Sequence, residues 1–119
     1  MADMKQQQKQ LLKYFRSLST EDAHSLLSFA EFLAARSVPV ESKEFLSLNK
    51  IERPAEESVI AAIKRLSASY PMLDKDKMLT ETSALMAQHI MQGRTATEVI
   101  DELEQVFERH YAVYSEQMD

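Results

Sequence analysis

One stretch in the first third of the chain limits the fold more than any other. Residues 25–36 read Ser-Leu-Leu-Ser-Phe-Ala-Glu-Phe-Leu-Ala-Ala-Arg. On a helix, the apolar side chains of this stretch spread over roughly 220°, about twice the arc that a helix on the surface of a globular protein buries. These side chains are Leu26, Leu27, Phe29, Ala30, Phe32, Leu33 and Ala34. The helix must therefore be covered on two sides, and we expect its own chain to supply one cover and a second copy the other.

The composition favours a globular all-α protein. Hydrophobic residues make up 45% of the 119 residues and charged residues 28%, which is ordinary for one compact domain. One glycine and three prolines leave too few turn residues for an all-β fold. Because the chain has no cysteine, disulfides, thiol nucleophiles and thiolate metal sites are excluded. We predict an all-α fold of five helices.

The sequence contains no segment that predicts secretion or a membrane span. The longest uninterrupted apolar run, residues 59–63, is far shorter than the ~20 residues that cross a bilayer. The N-terminal residues lack the apolar core of a signal peptide. We therefore expect a cytoplasmic protein, and the net charge of −5 argues against general affinity for nucleic acids.

The N-terminal part, residues 1–37, is predicted to be a helical hairpin. A first helix is expected from Asp3 to Ser17, because its apolar residues recur at helical spacing. Ser19 or Thr20 then caps the second helix. So short a connection predicts that the two helices pack antiparallel, with the first covering one side of the second.

A linker is predicted over residues 38–53. Pro39 cannot continue a helix, and the apolar residues that follow have neither helical nor strand spacing. One short helical turn at 43–48 is the only regular structure that we expect in this segment.

The remainder, residues 54–117, is predicted to be a three-helix unit. Its helix starts are marked by Pro54 for the third helix, Asp74 for the fourth, and a capping box of Thr95 and Glu98 for the fifth. Leu73 and Met78 are spaced to form a hydrophobic staple around Asp74. Gly93, the only glycine, is expected to end the fourth helix.

Two segments resemble known bacterial proteins. The core of residues 18–36, Leu-Leu-Ser-Phe-Ala-Glu-Phe-Leu, resembles the helical segment of several small antitoxin-like proteins. The stretch Tyr-Pro-Met-Leu-Asp-Lys at 70–75, with the helices around it, resembles part of a short all-helical family of unknown function. Both resemblances imply an all-helical protein, and neither carries a catalytic residue over to this chain.

The histidines are the candidates for catalysis or metal binding. Glu21 and His24 have the Glu-x-x-His spacing of di-iron helical bundles, but the chain has no second pair of this kind. His89 and His110 lie on the apolar sides of the fourth and fifth helices, where a histidine is able to act as a ligand or a base. We expect them to be two separate histidines, each hydrogen-bonded to a partner, rather than one site.

A basic stripe on the first helix is the best lead to function. Its four cations, Lys5, Lys9, Lys13 and Arg16, fall within roughly 80° of one another. They have three interpretations: contact with a nucleic-acid backbone, contact with the acidic side of the fifth helix in the same or a partner chain, or a solvated surface. That acidic side consists of Glu98, Asp101, Glu102, Glu104 and Glu108, and we expect it to be solvated.

Together these patterns predict a small non-enzymatic interaction or regulatory protein that forms a homodimer. No cofactor, metal or membrane is expected. The predicted dimer interface lies on the second helix, at Leu26, Phe29, Phe32 and Leu33. The alternative is a nucleic-acid-associated regulator that uses the basic stripe, and the third interpretation is an enzyme or metal protein that uses His89 or His110.

Overall fold

The computed structural model describes residues 2–36 and 48–118, and α-helices are the regular secondary structure in these ranges. It contains α1 (Ala2–Ser17), α2 (Thr20–Ala35), α3 (Val59–Ser69), α4 (Lys75–Gln92) and α5 (Ala96–Met118). No strand occurs among the described residues. The predicted all-α fold of five helices is confirmed. The helical turn that we expected at 43–48 lies almost entirely outside the described residues.

Most helix ends follow the local chemistry that the sequence predicted. The side chains of Ser19 and Asp74 accept hydrogen bonds from backbone N–H groups in the first turns of α2 and α4, over 3.1 and 3.0 Å. The Thr95 hydroxyl accepts one from the N–H of Glu98 at 3.3 Å at the start of α5. Gly93 has a φ of 73°, the left-handed conformation that ends α4 without a steric penalty.

The start of α3 differs from the prediction. The helix begins at Val59 rather than at Pro54, because the hydroxyl of Ser58 caps it by accepting the N–H of Ala61 at 3.1 Å. Glu57, just before this cap, extends its carboxylate to the guanidinium of Arg65, at 2.7 and 3.0 Å. The segment before α3 is therefore held by side-chain contacts instead of helical hydrogen bonds.

The core lies between α2, α3, α4 and α5. Helix α4 packs along α5, α3 packs against α5 and α2, and α2 also packs against α4. The largest fully buried apolar side chains are Phe32, Ile63, Met78, Val99, Ile100 and Leu103. Leu73 and Met78 are both buried on either side of the Asp74 cap, as a hydrophobic staple requires.

The cover of α2 differs from the prediction of a packed hairpin. Helices α3 and α4, and not α1, cover its inner side, so that Phe32 is 1% exposed within the core of its own chain. At the end of α2, Arg36 donates a hydrogen bond to the carbonyl of Lys75 at 3.1 Å, which ties α2 to the start of α4. Helix α1 packs along no other helix of the described residues. A short connection joins the ends of two helices, but the deeper apolar core decides which helix faces they bury.

Part of the predicted linker is anchored to the fold. The N–H groups of Asn49 and Ile51 donate to the carbonyl and hydroxyl of Ser69, at 2.9 and 3.3 Å. The guanidinium of Arg53 lies 2.6 Å from the carboxylate of Asp101 on α5. Residues 48–53 are thus held against α3 and α5, whereas residues 38–47 lie outside the described ranges.

A buried ion pair fixes the approach to α3. The side chains of Arg65 and Glu57 are only 8% and 4% exposed, and Arg65 also donates to Glu104 on α5 at 3.1 Å. The hydrogen bonds with Glu57 raise the pKa of Arg65 above its ordinary value, although burial acts in the opposite direction. Because both groups are desolvated, each depends on the other for compensation.

We expect Phe32→Ala to lower the free energy of unfolding by about 3–5 kcal/mol, since it leaves a cavity between α2, α3 and α4. Val113→Ala is the matched control, because Val113 is half exposed on α5. It should change stability by less than about 1 kcal/mol. Urea denaturation followed by circular dichroism measures both values, and equal effects would contradict the core position of Phe32. Independent folding of residues 54–117 is not tested by the structure and stays a prediction. Such a fragment has to fold without Phe32, which belongs to the core of the whole chain.

We expect Arg65→Met to cost about 3–5 kcal/mol of stability, because it leaves the Glu57 carboxylate buried without its cation. Arg109→Met removes a comparable pair with Glu81 that lies at the surface, where such pairs contribute about 1 kcal/mol or less. Chemical denaturation of the two variants at neutral pH makes the comparison. A loss for Arg65→Met no larger than that for Arg109→Met would contradict the structural role of the buried pair.

Candidate interaction surface

Helix α1 presents an apolar stripe to solvent. From Met4 to Ser17 every side chain is exposed except that of Phe15, which is half-buried. The α1 stripe consists of Met4, Leu11, Leu12, Phe15 and the adjoining Leu18. Met4, Leu11 and Leu12 are each more than half exposed. Contiguous apolar surface of this kind marks interaction sites on soluble proteins.

Helix α2 has a second apolar surface on the side opposite the core. Ala23, Leu26, Leu27, Ala30 and Ala34 fall within roughly 100° of one another and point away from Phe32; we call them the outer stripe. Leu27 is half exposed, and Ala30 and Ala34 are exposed. Helix α2 is therefore apolar on two sides, as the width of its apolar arc predicted, and its own chain buries the inner side.

The predicted dimer-interface residues divide between these two sides. Leu26 is half-buried on the outer side, and Leu33 is 47% exposed near its edge. Phe29 is partly buried against the core, and Phe32 lies inside it. The assignment of Phe32 to an interface is wrong for this reason. The prediction did not include Leu27, because the pattern of apolar residues does not distinguish the inner side from the outer one.

The basic stripe of α1 faces solvent. Lys5, Lys9, Lys13 and Arg16 are all exposed, and they form no ion pair with any described residue. The acidic side of α5 does not pair with them within the chain. Instead, its carboxylates bind arginines: Asp101 and Glu104 bind Arg53, Glu104 also binds Arg65, and Glu98 and Glu102 bind Arg94. Glu98 and Asp101 remain more than half exposed, as expected for a solvated side, whereas Glu104 is largely covered by its two arginines.

A groove of about 500 Å³ lies between α2, α3 and α4, and we call it the acidic groove. Glu21, Asp22 and Glu31 of α2 line it, and none of these carboxylates has an ion pair within the described ranges. Apolar side chains complete the wall, among them Ile60, Ile90 and Met91. The groove therefore combines uncompensated negative charge with apolar surface.

The histidines take separate positions, as predicted. His89 lines the acidic groove, and its Nδ1 lies 2.8 Å from the carbonyl oxygen of Arg94, so that this nitrogen carries the donated hydrogen. The Nε2 of His110 lies 2.7 Å from the carboxylate of Glu81, which also binds Arg109 at 2.6 Å. His24 lines the groove with Glu21, but nowhere in the described ranges do three or more acidic or histidine side chains lie close enough together to hold a metal ion.

None of the helices that the structure describes combines the length and the apolar content needed to cross a bilayer. No family model, curated protein or solved structure gives a significant match to the chain.

Proposed function

We propose that the protein is a small non-enzymatic interaction or regulatory protein that acts in the cytoplasm as a homodimer, through the surfaces of α1 and α2. The observation that carries this proposal is the exposure of two neighbouring apolar surfaces, the α1 stripe and the outer stripe of α2. Seven of the eleven large hydrophobic side chains exposed in the described residues lie in residues 4–33. This concentration at one end of the chain favours a binding surface over scattered surface hydrophobics.

The energetics of α1 also support a partner. A helix of 16 residues is marginal in water when nothing packs against it. Complete burial of one large apolar side chain contributes about 1.5–3 kcal/mol, so a partner that covers the α1 stripe stabilises the helix as it binds. In a homodimer, each chain covers the α1 stripe of the other chain. Two-fold symmetry of this kind is the commonest arrangement among oligomers.

The groups that the sequence offered for catalysis have structural partners. His89 bonds the turn between α4 and α5, and His110 joins those two helices through Glu81. The carboxylates of α5 bind arginines that fix the segment before α3 and the turn at Arg94. These roles favour an interaction protein over an enzyme.

We expect the wild-type protein to be a dimer at about 100 μM, well above a micromolar dissociation constant. Leu27→Glu should give a monomer with unchanged helical content, because it places a charge in the outer stripe without touching the core. Ala61→Glu is the matched control, since Ala61 is exposed on α3, and it should leave the dimer intact. Sedimentation equilibrium measures the mass, and a wild-type monomer at this concentration would overturn the proposal.

A second candidate function, association with nucleic acid, has one observation in its favour. The four cations of the basic stripe are exposed and unpaired within the described residues, as contacts to phosphates require. The net charge of −5 and the acidic groove on the neighbouring helix oppose it.

If this second function holds, DNA or RNA should shift in a gel and the affinity should fall steeply with salt. Lys9→Glu with Lys13→Glu should then abolish the shift, and Lys64→Glu with Lys77→Glu, two exposed lysines on α3 and α4, should not. The homodimer proposal expects no shift for any of the three proteins. Binding that survives the loss of Lys9 and Lys13 would exclude the basic stripe as the contact.

A further inference from the structure

Helices α1 and α2 have equal and opposite charge. Helix α1 contains four cations and one acid, Asp3, for a net charge of +3. Helix α2 contains three acids, Glu21, Asp22 and Glu31, and no lysine or arginine, for a net charge of −3. Because neither set forms an ion pair in the described residues, the complementarity is not used within one chain.

The charges also lie in suitable positions beside the apolar stripes. On α1, Lys5, Lys9 and Arg16 fall within roughly 60° of Leu12, at one edge of the α1 stripe. On α2, Asp22 and Glu31 fall on opposite sides of the outer stripe, each within roughly 40° of one of its leucines. When two helices pack through such stripes, the cations at one edge of the α1 stripe come beside the acid at the facing edge of the outer stripe, as the flanking positions of coiled coils do.

Other pairings of these helices do not use the charges. Pairing α1 with α1 of a second copy brings two sets of four cations together, and pairing α2 with α2 brings two sets of acids together; like charges across an interface oppose association. Within one chain, α1 does not pack along α2. Only the pairing of α1 with α2 of another copy combines apolar contact with opposite charge.

We propose that the homodimer is reciprocal: α1 of each copy packs on the outer stripe of α2 of the other copy, with its basic side chains beside the acidic groove. This inference rests on the proposed homodimer and names the partner of each surface. Two-fold symmetry makes the two contacts identical and leaves neither stripe exposed. The acidic groove then provides the negative field that orients the incoming helix.

Two charge-reversal variants test the arrangement. The α1 variant has Lys9→Glu and Arg16→Glu, and the α2 variant has Asp22→Lys and Glu31→Lys. All four side chains are exposed, so both variants should keep the helical content of the wild type. Each variant alone places like charges across both contacts of a reciprocal dimer, and its dissociation constant should rise by about tenfold or more. The variant with Lys64→Glu and Lys77→Glu has the same change in net charge as the α1 variant, and it should dimerise like the wild type.

The mixture of the two variants gives the decisive result. In an equimolar mixture, each α1 meets an α2 of opposite charge, so a heterodimer with about the wild-type affinity should form and be resolved by native mass spectrometry. If α1 paired with α1, reversing two of its cations would relieve repulsion, and the α1 variant alone would dimerise at least as tightly as the wild type. That result, or a mixture without heterodimer, overturns the reciprocal arrangement while the homodimer stands. A monomeric wild type overturns the homodimer itself.

Discussion

The burial of Phe32 between α2, α3 and α4 is the contact on which the rest of the arrangement depends. It buries the side of α2 that carries Phe32 and Ala35, and it joins the N-terminal part of the chain to the core of α3, α4 and α5. Arg36 strengthens the same junction through the carbonyl of Lys75. Because Phe32 and Ala35 are buried in the core, the C-terminal half of α2 is held against α3 and α4. An apolar surface on a helix that the core holds in place loses little conformational entropy when it binds, and this supports the outer stripe as the proposed docking surface.

Ion pairs between arginines and carboxylates hold the segment before α3 against α3 and α5. Arg65 connects Glu57 to Glu104, and Arg53 connects residues 48–53 to α5. The forked guanidinium suits this role because it binds two carboxylates with defined geometry. Four acids of α5, Glu98, Asp101, Glu102 and Glu104, thus have ion pairs with arginines of their own chain, whereas the three acids of α2 have none among the described residues. Part of the unpaired negative charge therefore lies beside the outer stripe of α2, at Asp22 and Glu31.

Much of the fold follows from short-range patterns in the sequence, and the differences arise where partners are distant. Capping residues, the left-handed Gly93 and the apolar spacing of α5 act within one or two turns, so they predict helix ends and core positions directly. The start of α3 is set by the Ser58 cap, and the segment before it is held by Glu57, whose burial needs the cation of Arg65. A scan for local helix signals misses such a partner. For the surface, the exposure of the four cations on α1 was predictable from their spacing. Which side of α2 faces the core was not predictable from the sequence, because both sides contain apolar residues.

Helices α1 and α2 differ in how much of the fold packs against them. Helix α2 is held by the core, so its outer stripe exists in the single chain. Helix α1 has no such support in the described residues, so in the proposed homodimer much of its stability comes from the partner that covers its stripe. The proposed association and the stability of α1 are therefore linked by mass action, and the proposal implies that both increase as protein concentration rises. Opposite charge on the two helices adds orientation to this linkage, since apolar contact alone does not distinguish α1 from α2 as the partner.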